Sequence, residues 1–158
     1  MSQYFFAVSP PEPLSSKIDA LRERWGHPHH RVQPHITVKA PFQWHEQPEA
    51  FLAPVRAACA AAAPFDIRLS GTGRFGEARV LFLTVDGEGL KPLHLAVISA
   101  LEGLLPADAR SHEGEGYSPH LTLAVARFGI DAAGMAEMEQ AAQAELAELP
   151  AFAVTALR

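Results

Sequence analysis

One pentapeptide pattern occurs twice in this chain, as Pro34-His35-Ile36-Thr37-Val38 and as Pro119-His120-Leu121-Thr122-Leu123. With 13 prolines and 8 histidines among 158 residues, a single chance copy has a probability of roughly a few in a thousand, and two are far rarer. Both copies read as strands, in which residues two apart share a face. His35 and Thr37 then project together, as do His120 and Thr122, while the aliphatic residues anchor the opposite face. The fold must therefore supply two similar strands with similar surroundings, and two copies facing each other line one cleft.

The remaining sequence provides such surroundings. Aromatic and β-branched residues predict a first strand over 4–8, ended by Pro10 and Pro11. Leu14, Ile18, Leu21 and Trp25 recur at the helical period and predict a helix over 13–25. A strand over 32–38 closes at Pro41, and a helix starting near Pro48 carries Phe51, Leu52, Val55 and Cys59 before Pro64 ends it. Strands over 65–70 and 79–85 follow, linked as a hairpin through Gly71, Gly73 and Gly76. Next come a helix over 90–105, a strand over 119–128, an acidic, alanine-rich helix over 131–149 and a strand over 152–157. That last pattern is still running where the sequence stops. This order predicts an α+β protein whose sheet is mostly antiparallel, and the elements before Ala63 resemble those after Arg79. The expected architecture is one two-lobed domain over 1–158, with two mostly antiparallel sheets lining a central cleft and helices packed outside.

Composition narrows the partners. A hydrophobic fraction of 48% with 20% charged residues suits a globular chain with a sizeable core. A net charge of -5 argues against gripping long double-stranded nucleic acid, which needs clustered Lys and Arg. A small anionic ligand or a nucleic-acid end remains compatible. Cys59 is the only cysteine, so neither an intramolecular disulfide nor a thiolate metal cage can form, and a buried, inert thiol is expected. The apolar run near the N-terminus is too short for a signal segment and lacks a basic flank, and no stretch approaches the roughly twenty apolar residues of a membrane span. A cytoplasmic, membrane-free monomer is the expectation.

A cleft lined by two imidazoles and two hydroxyls suits phosphodiester cleavage. One neutral imidazole takes a proton from water and one imidazolium protonates the leaving oxygen, and a pKa of about 6.5 makes both states accessible near neutrality. The hydroxyls of Thr37 and Thr122 can donate to the non-bridging phosphate oxygens. No metal or cofactor is required for this chemistry. Clustered His27, His29 and His30 invite a zinc reading, which Pro28 and the lack of a neighbouring carboxylate weaken. His45, His94 and His112 have no partner at motif spacing, and His94 is expected to pack beside its helix.

These motifs resemble the paired His-X-Thr/Ser-X signature of the two-histidine phosphoesterase superfamily, and within it the 2′-5′ RNA ligase and RNA 2′,3′-cyclic phosphodiesterase family. The strand after Pro64, the glycine-spaced turn ending at Arg74-Phe75 and the strand Val80-Leu81-Phe82-Leu83 extend the similarity over nearly the whole chain. The resemblance implies a bilobal α+β fold and hydrolysis of 2′,3′-cyclic phosphate ends, on RNA or nucleotides, to a 2′-phosphate, with 2′-5′ ligation as the reverse. It implies His35 as general acid and His120 as general base. A small cyclic phosphate such as ADP-ribose 1″,2″-cyclic phosphate, a 2′-5′ oligonucleotide, or non-catalytic binding of an RNA end are the alternatives.

Five further residues are candidates for substrate contact. Lys39 shares strand parity with His35 and Thr37, so it is a candidate for the cleft. Phe42 resembles the family's aromatic at the cleft edge, where it could stack on a base. Arg74 could contact a phosphate and Phe75 could cover a base from the glycine-rich turn. Where many relatives carry an arginine soon after the second motif, this chain reads Ala124-Val125-Ala126-Arg127, and strict alternation points Arg127 away from His120 unless a bulge intervenes. Tyr117 is expected in an exposed loop before the second motif.

Overall fold

The two repeated strands lie side by side inside the sheet. In the computed structural model, which describes residues 2–25, 32–106 and 113–158, the elements run β1 (Ser2–Val8), α1 (Leu14–Arg24), β2 (Ile36–Trp44), α2 (Glu49–Ala61), β3 (Phe65–Phe75), β4 (Val80–Asp86), α3 (Leu90–Ala100), β5 (His120–Val125), α4 (Ala132–Glu145) and β6 (Phe152–Val154). The strand order is β1-β2-β5-β4-β3-β6, and every pairing is antiparallel. The expected α+β, mostly antiparallel architecture is therefore present. Its two sheets are halves of one six-stranded order, joined where Ile36 of β2 faces Leu121 of β5.

Each half repeats the other in detail. Val8 faces Ile36, Ala7 faces Thr37 and Phe6 faces Lys39. Leu83 faces Leu121, Phe82 faces Thr122 and Leu81 faces Ala124. Both repeated strands thus gain an extra residue just after the threonine, the signature of a β-bulge. Both show the same sequence of burial: aliphatic inside, threonine half-exposed, then two consecutive buried residues. The helices cross over, with α3 against β2 and α1 against β5. Leu14, Ile18 and Leu21 on α1 and Leu90, His94 and Val97 on α3 occupy corresponding buried positions at helical spacing. Ile36, Val38, Leu121 and Leu123 seal the core beneath them, each no more than 1% exposed.

Several boundaries depart from the sequence pattern. β2 continues past Pro41 to Trp44 because Pro41 is exposed in the bulged stretch between Lys39 and Phe42, where it owes no ladder hydrogen bond. β3 continues through Gly71 and Gly73, which pair with Thr84 and Phe82. A Cβ on Gly73 would lie 2.6 Å from the Phe82 ring, so this glycine is what lets that ring lie across the strand. β5 stops at Val125 and a 3₁₀ turn covers Ala126–Phe128, closed by Gly129 at φ 101°. Asp131 caps α4 by accepting from the Gly134 amide at 2.8 Å. No helix among the described residues is long and apolar enough to cross a membrane.

Candidate active site

The repeat places His35 immediately before β2 and His120 at the first position of β5, both half-buried. Because Ile36 and Leu121 face each other across the seam, strand alternation puts His35, Thr37, His120 and Thr122 together on the opposite face. Each imidazole is held the same way. Nδ1 of His35 donates to the carbonyl of Gln33 at 2.9 Å, and Nδ1 of His120 donates to the carbonyl of Ser118 at 2.9 Å. A carbonyl can only accept, so in each neutral ring the proton sits on Nδ1 and Nε2 carries the free lone pair. Aromatic rings flank both: Phe5 lies 5.2 Å from His35, and Phe75 meets His120 edge-on at 4.8 Å. Burial lowers the pKa of His35, and the positive charges of Arg22 and His120 lower it further, against an opposing effect of the Gln33 carbonyl.

Beside His120 and Thr37 lies a cavity of about 490 Å³, whose walls include Ala40, Phe75, Glu113, Tyr117 and Ser118. Its far wall is tied to β2 by polar contacts. Glu113 accepts from Lys39 Nζ at 2.8 Å and from the Ala40 amide at 2.9 Å. The Tyr117 hydroxyl donates to the Thr37 carbonyl at 2.9 Å, and burial raises its pKa, which keeps it a donor. His94, fully buried, donates from Nδ1 to the Val38 carbonyl at 2.6 Å and accepts the Gly114 amide on Nε2 at 2.8 Å. Its ring stacks on Tyr117 at 3.9 Å. Among the described residues no three His, Cys, Asp or Glu side chains cluster as a metal site would require.

The sequence matches the model of the 2′-5′ RNA ligase superfamily over residues 10–158. The chain belongs to that superfamily. Its fold is shared by the solved structure of Thermus thermophilus TT0787, at 24% identity and a TM-score of 0.56 over 100% of this chain and 83% of the other. Escherichia coli LigT in complex with 3′-AMP is similar at 21% identity and a TM-score of 0.57, over 97% and 82%. Kluyveromyces marxianus Usb1 with uridine monophosphate is similar at 16% identity and a TM-score of 0.53, over 98% and 92%. No curated protein sequence matches the chain.

In this member of the 2′-5′ RNA ligase superfamily the remaining candidates separate. Phe75 is in the site, 37% exposed, stacked on Phe82 at 4.1 Å and forming part of the cavity wall. Lys39 is not at the cleft surface: the bulge reverses its parity, leaving it 1% exposed and paired with Glu113. Phe42 is no cleft-edge platform either, since it is 2% exposed among Tyr4, Phe6 and Phe51 in the core. Arg74 is turned to Glu139 of α4, with contacts of 3.0 and 2.6 Å. Arg127 is exposed on the 3₁₀ turn, its guanidinium 4.7 Å from the Phe128 ring, and it does not border the cavity. Strand alternation does not govern it, because β5 has already ended.

Tyr117, expected as an exposed loop residue, is instead half-buried and bonded. Glu113 gave no signal in the sequence, since its partners Lys39 and Ala40 are remote in the chain. Cys59 is partly buried, and burial raises its thiol pKa, consistent with an inert thiol. His27, His29, His30 and His112 lie outside the described residues.

Proposed function

We propose that this chain hydrolyses 2′,3′-cyclic phosphate on RNA ends or nucleotides to a 2′-phosphate by paired histidine acid–base catalysis, without a metal ion. The observation that carries this reading is the duplicated anchoring of His35 and His120, which leaves two Nε2 atoms and two threonine hydroxyls on one face of the sheet. A water oxygen forms the new bond to phosphorus as its proton passes to Nε2 of His120. The bond from phosphorus to the 3′ oxygen breaks as that oxygen takes the proton carried on Nε2 of His35. Thr37 and Thr122 donate to the non-bridging oxygens, where negative charge must be held through the transition state. With a 5′-hydroxyl in place of water, the same step with the same two proton transfers forms a 2′-5′ bond as the bond to the 3′ oxygen breaks, and its reversal returns the cyclic phosphate.

LigT and Usb1, similar in fold, are solved with mononucleotides, and the cavity beside His120 has room for a ligand of that size. Phe75, exposed on its wall, offers a surface for a base.

The test is turnover of 2′,3′-cyclic mononucleotides and of short RNAs with a cyclic end, in EDTA, with ADP-ribose 1″,2″-cyclic phosphate and 2′-5′ oligonucleotides in the same panel. Activity on the cyclic ends that survives EDTA is expected, with His35→Ala and His120→Ala each losing about 10²- to 10⁴-fold. Binding of RNA ends without turnover would mean a docking module, and loss of activity to chelator that zinc restores would mean a metallohydrolase.

A further inference from the structure

Of the three matched buried positions at this spacing on α1 and α3, two are apolar in both helices, Leu14 with Leu90 and Leu21 with Val97. Where α1 places Ile18, fully buried, α3 places His94, also fully buried. Packing alone does not call for an imidazole there, as Ile18 shows in the other half. Burying a polar ring costs stability unless both nitrogens are satisfied, and both are: Nδ1 by the Val38 carbonyl and Nε2 by the Gly114 amide. Those two bonds also fix the ring as neutral, with its proton on Nδ1.

The partners of His94 lie on the two pieces of backbone that hold the reactive groups. Val38 follows Thr37 at the bulge of β2. Gly114 begins a segment in which Tyr117 stacks on His94 and donates to the Thr37 carbonyl, and in which Ser118 supplies the carbonyl that orients His120. A continuous chain of contacts therefore runs from the first motif, through His94, to the anchor of the second histidine. His35 has a separate support: its anchor Gln33 follows Val32, whose carbonyl accepts from Arg22 of α1 at 3.3 Å.

We propose that His94 is a positioning residue that, with Tyr117, sets the orientation of the His120 imidazole relative to Thr37, while leaving His35 to its own support. This rests on the reading of His120 as a catalytic group. His94 does not touch the phosphate in this account. It acts by holding segment 114–118 against β2, so that Nε2 of His120 is presented to the reacting water in one orientation.

Imidazole nitrogen NMR on ¹⁵N-labelled protein tests the idea without relying on turnover. At about pH 8, above the ordinary histidine range, wild type should show a single Nδ1–H tautomer for both His35 and His120. In His94→Phe, which keeps a ring against Tyr117 but loses both hydrogen bonds, and in Tyr117→Phe, which loses only the hydroxyl, His120 should show mixed tautomers while His35 stays unchanged. In parallel, kcat for a 2′,3′-cyclic nucleotide should fall about tenfold in each variant with KM within about twofold, and the double variant should be no worse than the weaker single one. Tyr117→Phe decides the matter if His94→Phe fails to fold. An unchanged His120 in a folded variant overturns the proposal, and so does equal loosening of His35 and His120, which would mark general destabilisation. If wild type turns over no cyclic phosphate, the proposed function fails, while the tautomer measurement still decides whether His94 positions His120.

Discussion

The half of the molecule built around His35 and the half built around His120 share strand pairing, bulge position, threonine exposure and imidazole anchoring, yet they are supported differently. After the bulge, β2 places the cation Lys39 where β5 places Ala124, and the facing helices place Ile18 against His94. Polar side chains with no counterpart among the described residues of the other half (Lys39, Glu113, His94 and Tyr117) converge on the cavity side of the seam. The lesson is that duplication gives the two anchored imidazoles, whereas departures from the duplication build the wall of the cavity.

The strongest way to break the comparison is to remove one of those departures. Lys39 and Glu113 form an ion pair with side chains 1% and 3% exposed. Lys39→Met strands a buried carboxylate and should cost on the order of 3–5 kcal/mol in chemical denaturation, while Lys39→Met combined with Glu113→Leu should recover most of that loss. A loss below about 1 kcal/mol for Lys39→Met would show that the pair does not hold the cavity wall.

A second experiment sharpens the contrast through pH. Burial, chiefly, lowers the pKa of His35. In the proposed role of general acid it must carry its proton, and it does so only below that lowered value. Activity governed by His35 should therefore decline as pH rises through a point under about 6.5, the ordinary histidine value. Arg22→Gln removes one charge that depresses His35 and should move this limb toward higher pH. If activity instead rises through the same point, His35 is the base and His120 the acid.

The smallest expected effect concerns the cavity mouth. Phe75→Leu removes the exposed ring beside His120 and should raise KM for a cyclic nucleotide about three- to tenfold with little change in kcat, as loss of one base contact does. Equal KM values would place the base elsewhere.

Much of this was legible in the sequence, for identifiable reasons. The period-two pattern around His35 and His120 gives strand, face and residue type together, and the helices containing Leu14 to Leu21 and Leu90 to Val97 announce themselves by spacing. Lys39 was misplaced because a bulge shifts parity by one residue, and a bulge is a property of register between two strands rather than of one strand's composition. Phe42 belongs to an aromatic cluster with Tyr4, Phe6 and Phe51, contacts that no local pattern reveals. His94 and Tyr117 read as a packed helix residue and an exposed loop residue because their partners, Val38 and Thr37, lie far away in the chain.

The central claim is that two imidazoles from separate strands serve a single phosphorus atom, and a double-variant cycle measures it directly. With a 2′,3′-cyclic nucleotide as substrate, His35→Ala, His120→Ala and the double variant should lose nearly the same activity, because a proton acceptor without its donor is worth little. Losses that multiply in the double variant would show two rings working independently, and would contradict the account.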